Sequence, residues 1–190
     1  MNRLVCALLL LLGACQRPAE TPPLAGARIG GPFALTDQDG RPVTDRSFAG
    51  RWRIVYFGYT FCPDACPTEM GAIGAGLKQV EASDPAVGAK VVPIFVTVDP
   101  ARDTPAVLKQ FVRAFHPRAV GLTGSPAAID AVAREYGVAH SLGPTAPGGG
   151  YLVDHSRAAY LMDPDGKPIA LAGADGGPAE VARTIERWVK

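Results

Sequence analysis

The stretch from residue 56 to residue 70 constrains this chain most: Tyr56-Phe57-Gly58-Tyr59-Thr60-Phe61-Cys62-Pro63-Asp64-Ala65-Cys66-Pro67-Thr68-Glu69-Met70. It enters as a buried-strand pattern, because Arg53-Ile54-Val55-Tyr56-Phe57 is a short run rich in β-branched and aromatic side chains. It leaves as a helix predicted over residues 67–82, since Pro67 suits a first helical turn and Glu69 complements the positive N-terminal end. Between the two stand Cys62 and Cys66, each followed by a proline that disfavours the α region for the residue before it. The pattern therefore predicts a shaped loop leading into a helix. A thiol just before a helix N-terminus is biased toward thiolate. Two of them can form a disulfide, attack one, or hold a soft metal.

The N-terminus decides which cysteines remain. Arg3 is a minimal positive region, and residues 4–12 are apolar but too few to span a bilayer as a settled helix. Leu12-Gly13-Ala14-Cys15 resembles a bacterial lipobox, in which Cys15 carries lipid and becomes the first mature residue. The alternatives are a plain secretory signal or a retained anchor. The expected organisation is a lipoprotein signal peptide over 1–14, a lipid-anchored Pro/Ala/Gly linker over 15–31, and one domain over 32–190. The expected location is the bacterial cell envelope, with the domain facing the periplasm or extracytoplasmic space. Of four cysteines, Cys6 leaves with the signal and Cys15 is lipidated, so Cys62 and Cys66 are the working pair. A disulfide is ordinary in such a compartment, but one closing so short a loop constrains little of the unfolded chain. That argues for chemistry at this pair over a purely structural bridge. Losing the leader removes one of 19 basic residues and no acid, leaving 18 against 18. This balance, with no basic stripe, argues against a nucleic-acid partner.

Downstream, Asp39-Gly40 marks a hairpin turn between residues 32–36 and 41–44. Strands are predicted at 53–58, 90–98, 119–122, 151–153, 158–162 and 169–172, with Asp163-Pro164-Asp165-Gly166 turning between the last two. Asp103-Thr104-Pro105 and Ser125-Pro126 predict helix starts, and Val181, Ile185, Trp188 and Val189 line a closing helix. Gly71, Gly74 and Gly76 weaken the helix after the cysteines and are expected to allow close packing on the sheet. Residues 143–150 are rich in Gly and Pro and read as a mobile loop. Strands alternating with helices predict an α/β fold with a central mixed β-sheet flanked by helices and an N-terminal β-hairpin. Cysteines at the C-terminal end of the first buried strand, entering a helix, resemble the thioredoxin layout, whose site lies outside the strands' carboxyl ends.

Three histidines are candidates for the same site. His116, at a helix end before Pro117, reads as a surface cation near the C-terminal dipole. His140 opens a Gly/Pro loop and reads as solvent-exposed. His155, in Val153-Asp154-His155-Ser156, is placed in the loop before the strand at 158–162. In a thioredoxin-like fold that loop faces the cysteines and carries a cis-proline; this sequence has no proline there. His155 is therefore read as a ligand in place of a satisfied surface histidine. Two thiolates and one imidazole suit Cu(I). A structural zinc site calls for four protein ligands, and catalytic zinc with this set lacks a placed acid or base.

Four segments together resemble the Sco/SenC family: residues 56–67, Val98-Asp99-Pro100-Ala101-Arg102-Asp103-Thr104-Pro105, Leu122-Thr123-Gly124, and Val153-Asp154-His155-Ser156. The resemblance runs from about Gly31 to the end. It implies a membrane-tethered, thioredoxin-like copper protein that helps assemble the binuclear CuA centre of cytochrome c oxidase. Carried over residue by residue, its copper ligands are Cys62, Cys66 and His155, with Cu(I) as the main cargo and Cu(II) as a second state. Asp64 and Asp154 match positions beside the ligands, where supporting or partner roles compete with loop capping. Asp99 and Arg102 either line the same face or form a loop-stabilising ion pair. The implied partners are the CuA-bearing subunit, a copper donor protein, and the membrane through the lipid on Cys15. A second function, coexisting with the first, is a thiol–disulfide oxidoreductase that uses a redox-active Cys62–Cys66 disulfide to keep the CuA cysteines, or those of other envelope proteins, reduced. A peroxidase-like thiol enzyme fits less well, because Thr60 lies only two residues before Cys62.

Overall fold

The computed structural model describes residues 20–146, 148 and 150–190. The fold begins with a hairpin of β1 (Ala34–Asp37) and β2 (Pro42–Thr44), paired antiparallel. In its turn Gly40 takes a φ of 78°, a left-handed value that glycine adopts without steric cost. The Asp37 carboxylate closes the turn by accepting the N–H groups of Asp39 and Arg41 at 2.8 and 2.9 Å.

The chain then alternates strand and helix: β3 (Trp52–Gly58), α1 (Ala65–Ser83), the single-turn α2 (Pro85–Gly88), β4 (Val91–Thr97), α3 (Pro105–Phe115), β5 (Val120–Thr123) and α4 (Pro126–Glu135). It closes with β6 (His140–Leu142), β7 (Val153–His155), β8 (Ala159–Met162), β9 (Pro168–Leu171) and α5 (Pro178–Trp188). Seven strands form one mixed sheet in the order β2-β1-β5-β4-β3-β8-β9. β3, β4 and β5 are mutually parallel at its centre, and antiparallel strands flank them. Parallel neighbours need a crossover, which α1 and α3 supply. Each crossover returns the chain from the strands' C-terminal ends, so those ends share one rim with the helix starts. This is the fold class expected from the sequence.

β3 and β4 are buried almost throughout and mostly apolar, because both sheet faces are covered. Successive strand residues point to opposite faces. Tyr56 meets the Phe95 ring at 6.1 Å on one face, while Phe57 meets Tyr136, just beyond α4, at 5.3 Å on the other. Both are fully buried, and each such side chain contributes about 1.5–3 kcal/mol on leaving water. α3 and α4 start where Thr104 and Ser125 accept the N–H groups of Val107 and Ala128, each just before a proline. The cap of α3 is thus Thr104 alone, and Asp103 turns inward instead.

The glycines of α1 serve helix contacts, not the expected contact with the sheet. A Cβ on Gly74 would lie 2.6 Å from the Phe115 carbonyl oxygen, and one on Gly76 2.6 Å from that of Pro178. They let α1 press against the end of α3 and the start of α5. Residues 20–31 run along the domain: Leu24 N–H donates to Ile169 O at 3.0 Å and Gly30 N–H to Glu135 O at 2.8 Å. Cys15 and the leader lie outside the described residues.

The strand expected at 151–153 is displaced to β7. It pairs not with the main sheet but with β6, in a separate two-stranded ribbon. β6 is short and largely polar, so it carries no alternation that a sequence pattern detects.

Candidate functional site

The C-terminal end of β3 sets the position of the thiols. A Cβ on Gly58 would lie 2.9 Å from Cys66 Sγ and 3.0 Å from Phe95 Cε2, so glycine there leaves the sulfur room to sit over the strand end. After Tyr59 the loop is pinned from beneath. Thr60 donates to the buried Asp103 carboxylate through its N–H (3.0 Å) and its hydroxyl (2.5 Å), and Thr97 donates its hydroxyl at 2.6 Å.

Cys66 does not lie outside the helix as its following proline predicts. It is inside the first turn of α1, where Pro67 costs no hydrogen bond because first-turn N–H groups have no intrahelical acceptor. Cys62 serves that turn. Asp64 is the N-cap residue but its side chain makes no cap bond. Instead Cys62 Sγ accepts the Cys66 N–H at 3.4 Å. Burial pushes the Cys62 thiol up, but the amides of Cys66, Asp64 and Ala65 outweigh it and hold the thiol below its ordinary value. Cys66 is more deeply buried, and burial pushes it up to about 12, reinforced by Cys62 and opposed by the Tyr59 backbone and the Tyr56 hydroxyl. Both cysteines are free thiols.

His155 comes from the other side. It ends β7 instead of sitting in a loop, because the ribbon continues to it: His155 lies directly opposite His140. Its Nε2 is 3.3 Å from Cys66 Sγ, and its Nδ1 is 2.9 Å from the Ser156 carbonyl. A carbonyl can only accept, so Nδ1 carries the proton and the Nε2 lone pair faces the sulfur. The rings of Tyr59 and Tyr56 stand edge-on to the imidazole at 6.0 and 6.3 Å.

Two charged clamps join these halves. Asp99 and Arg102 form an ion pair. The Arg102 guanidinium lies 3.7 Å from the Tyr151 ring centroid and 5.0 Å from that of Phe61, and donates to Tyr151 O at 3.0 Å. The Tyr151 hydroxyl donates to Asp99 at 2.9 Å. On the opposite flank Arg157 pairs with the buried Glu69.

Of the residues singled out from sequence, Cys66 and His155 meet and Cys62 lies beside them. Asp64 and Asp154 are exposed, and neither side chain hydrogen-bonds within the described residues. Two histidine readings are corrected. His116 is buried, not a surface cation; its Nδ1 accepts the Arg118 N–H at 3.1 Å and its Nε2 faces Glu81 at 3.3 Å. His140 is only partly exposed and reaches Asp130 at 3.2 Å. Sequence reasoning missed Glu69 as a buried partner, the parts that Asp103 and Tyr151 play at the site, and Arg157 altogether. Glu69 was detectable as the one acid on a helix stripe with Cys66, Met70 and Ile73. Among the described residues, no three His, Cys, Asp or Glu side chains stand ready as a metal-binding group.

A dithiol at a strand-to-helix turn, on a mixed sheet with helices on its faces, defines a thioredoxin-like protein, here with an imidazole set against the thiols. The chain belongs to the SCO1/SenC family, whose model matches residues 21–190. It is 44% identical over 146 residues to "Protein SCO1 homolog 1, mitochondrial" of Arabidopsis thaliana, covering 77% of this chain and 42% of that protein. It is 41% identical over 161 residues to "Protein SCO1 homolog, mitochondrial" of Mus musculus, covering 83% and 55%. The chain thus spans about half the length of these relatives. The solved structure of Arabidopsis thaliana ScoI with copper bound superposes with a TM-score of 0.77 at 38% identity, over 84% of this chain and 97% of that one. The expected bacterial cell-envelope location is corrected by these relatives, which are mitochondrial by name and point to a mitochondrial location. A short apolar leader ending in Gly13-Ala14-Cys15 does not by its physical character distinguish a bacterial lipobox from other targeting segments.

Proposed function

We propose that this chain is a copper metallochaperone that binds Cu(I), and in a second state Cu(II), through Cys62, Cys66 and His155, and passes it to the CuA-bearing subunit of cytochrome c oxidase. The observation that carries the reading is the lone pair of His155 Nε2 aimed at Cys66 Sγ from 3.3 Å, with its tautomer fixed by the Ser156 carbonyl. Two sulfurs and a neutral imidazole are a soft donor set that fits Cu(I). Family membership and relatives solved with copper bound support it. Loading requires both thiols to lose their protons, so affinity falls as pH falls. The exposed carboxylates of Asp64 and Asp154 flank the donors and serve the approach of a copper donor or recipient. The proposal includes a membrane tether in the N-terminal segment.

A second reading has its own observation. Cys62 is half-buried with its thiol held low, and it stands beside a buried, protonated Cys66. That is the arrangement of an attacking and a resolving thiol in a thiol–disulfide oxidoreductase. One pair of titrations separates the readings: copper(I) competition against a chelator, and equilibration with glutathione, on wild type and His155→Ala. The chaperone reading expects His155→Ala to lose about 100-fold or more in copper affinity. It also expects the variant to keep a wild-type disulfide equilibrium, because imidazole takes no obligatory part in thiol exchange. Unchanged copper affinity with a strongly shifted disulfide equilibrium gives the site to thiol chemistry.

A further inference from the structure

We propose that Glu69 and Arg157 are a positioning pair that fixes the aim of the His155 imidazole relative to the Cys66 sulfur; the proposal rests on the copper reading of those two residues. Glu69 follows Cys66 by three residues on α1, so both side chains lie on the same helical face. Its carboxylate is sunk into the protein, at 1% exposure. Burying a carboxylate is unfavourable unless it is paired and hydrogen-bonded. Arg157 supplies the pairing from the surface: its side chain is 58% exposed, and it brings both Nε, at 2.7 Å, and Nη2 to Glu69 Oε1.

The second oxygen, Oε2, is buried near the hydroxyl of Tyr56, and that hydroxyl also adjoins the Cys66 thiol. A buried ion pair is poor material for stability alone, since apolar replacement of such pairs is often neutral or stabilising. What the pair does accomplish is a connection. Arg157 stands two residues after His155, and between them Ser156 presents the carbonyl that holds His155 Nδ1. Ser156 is also tied to the ribbon, with its N–H donating to Ala139 O at 2.9 Å and its hydroxyl accepting the Ala139 N–H at 3.1 Å. A closed ring of contacts results. It runs from Cys66 along one turn of α1 to Glu69, across to Arg157, back to Ser156 and the imidazole, and over 3.3 Å to Cys66 Sγ. Removing Arg157 opens this ring at its most exposed link while leaving both cysteines and His155 in place.

The test is copper(I) competition against a chelator on the full chain as wild type, Arg157→Ala, His155→Ala and the double variant, with a glutathione equilibrium on each. Outer contacts of this kind are worth about 10- to 100-fold in metal affinity. Arg157→Ala is expected to lose that much copper(I) affinity, to leave the Cys62–Cys66 disulfide equilibrium unchanged, and to cost nothing further in the His155→Ala background. Arg157→Lys, which keeps a cation, is expected to restore part of the loss. Glu69→Gln is expected to give the same loss from the other end of the pair. An Arg157→Ala loss that persists undiminished without His155, or no loss at all, overturns the proposal and leaves the copper reading standing. Wild-type copper affinity in His155→Ala overturns the copper reading, and this proposal with it.

Discussion

The two halves of the site are built differently. The thiols belong to the middle of the sheet: Cys66 sits over the end of β3, with its strand buried on both faces and its loop fastened to Asp103. The imidazole belongs to a ribbon of two three-residue strands, paired to each other and not to the main sheet. A lone two-stranded ribbon has little stability of its own in water. This one is held by the Arg102–Tyr151 stack, the Arg157–Glu69 pair and the meeting of His155 with Cys66. One donor pair is thus preset by the core. The other donor is delivered by a segment whose position depends on a few side chains, which suits the uptake and release of copper proposed for this site.

Gly58→Ala strikes the rigid half and has the largest expected effect. The new Cβ would stand 2.9 Å from Cys66 Sγ and 3.0 Å from Phe95 Cε2, too close for either neighbour to stay put. Overpacking of this kind costs about 1–3 kcal/mol. Denaturant unfolding is expected to show that loss, with faster alkylation of Cys66. Wild-type stability and wild-type Cys66 protection would mean that the strand end does not set the sulfur's position.

A smaller effect separates the thiols themselves. Cys62 titrates below the ordinary thiol value and Cys66 at about 12. Only the thiolate reacts, so alkylation in metal-free protein is expected at Cys62 first. Its rate should already rise with pH below the usual thiol range, while Cys66 stays slow until strongly alkaline conditions. Mass spectrometry of partly alkylated protein checks the order, and equal rates would erase the asymmetry.

The rigid half was also the legible half. Residues 53–58 announce β3 by composition, Pro67 and Glu69 announce α1, and Asp39-Gly40 announces the hairpin, because each signal is local. Proline's local preference misled at Cys66, which enters the first turn of α1 with its N–H bonded to Cys62 Sγ. The ribbon was not legible. Its strands are too short for a period, and its position depends on contacts with residues far off in sequence, such as Arg102 on Tyr151, 49 positions away, and Glu69 on Arg157, 88 positions away. His116 was misread because burial there depends on Glu81 and on packing against α1. No feature near His116 in sequence reveals either.

Amide hydrogen exchange of metal-free and copper(I)-loaded protein tests the central contrast most directly, since it reports slow local opening segment by segment. Copper is expected to slow exchange across 140–142 and 151–155, by joining His155 to both thiols, while β3 and the body of α1 exchange equally slowly in both states. Ribbon amides that exchange at the same rate with and without copper would contradict the account, because the ion would then not be joining the compliant half to the rigid one.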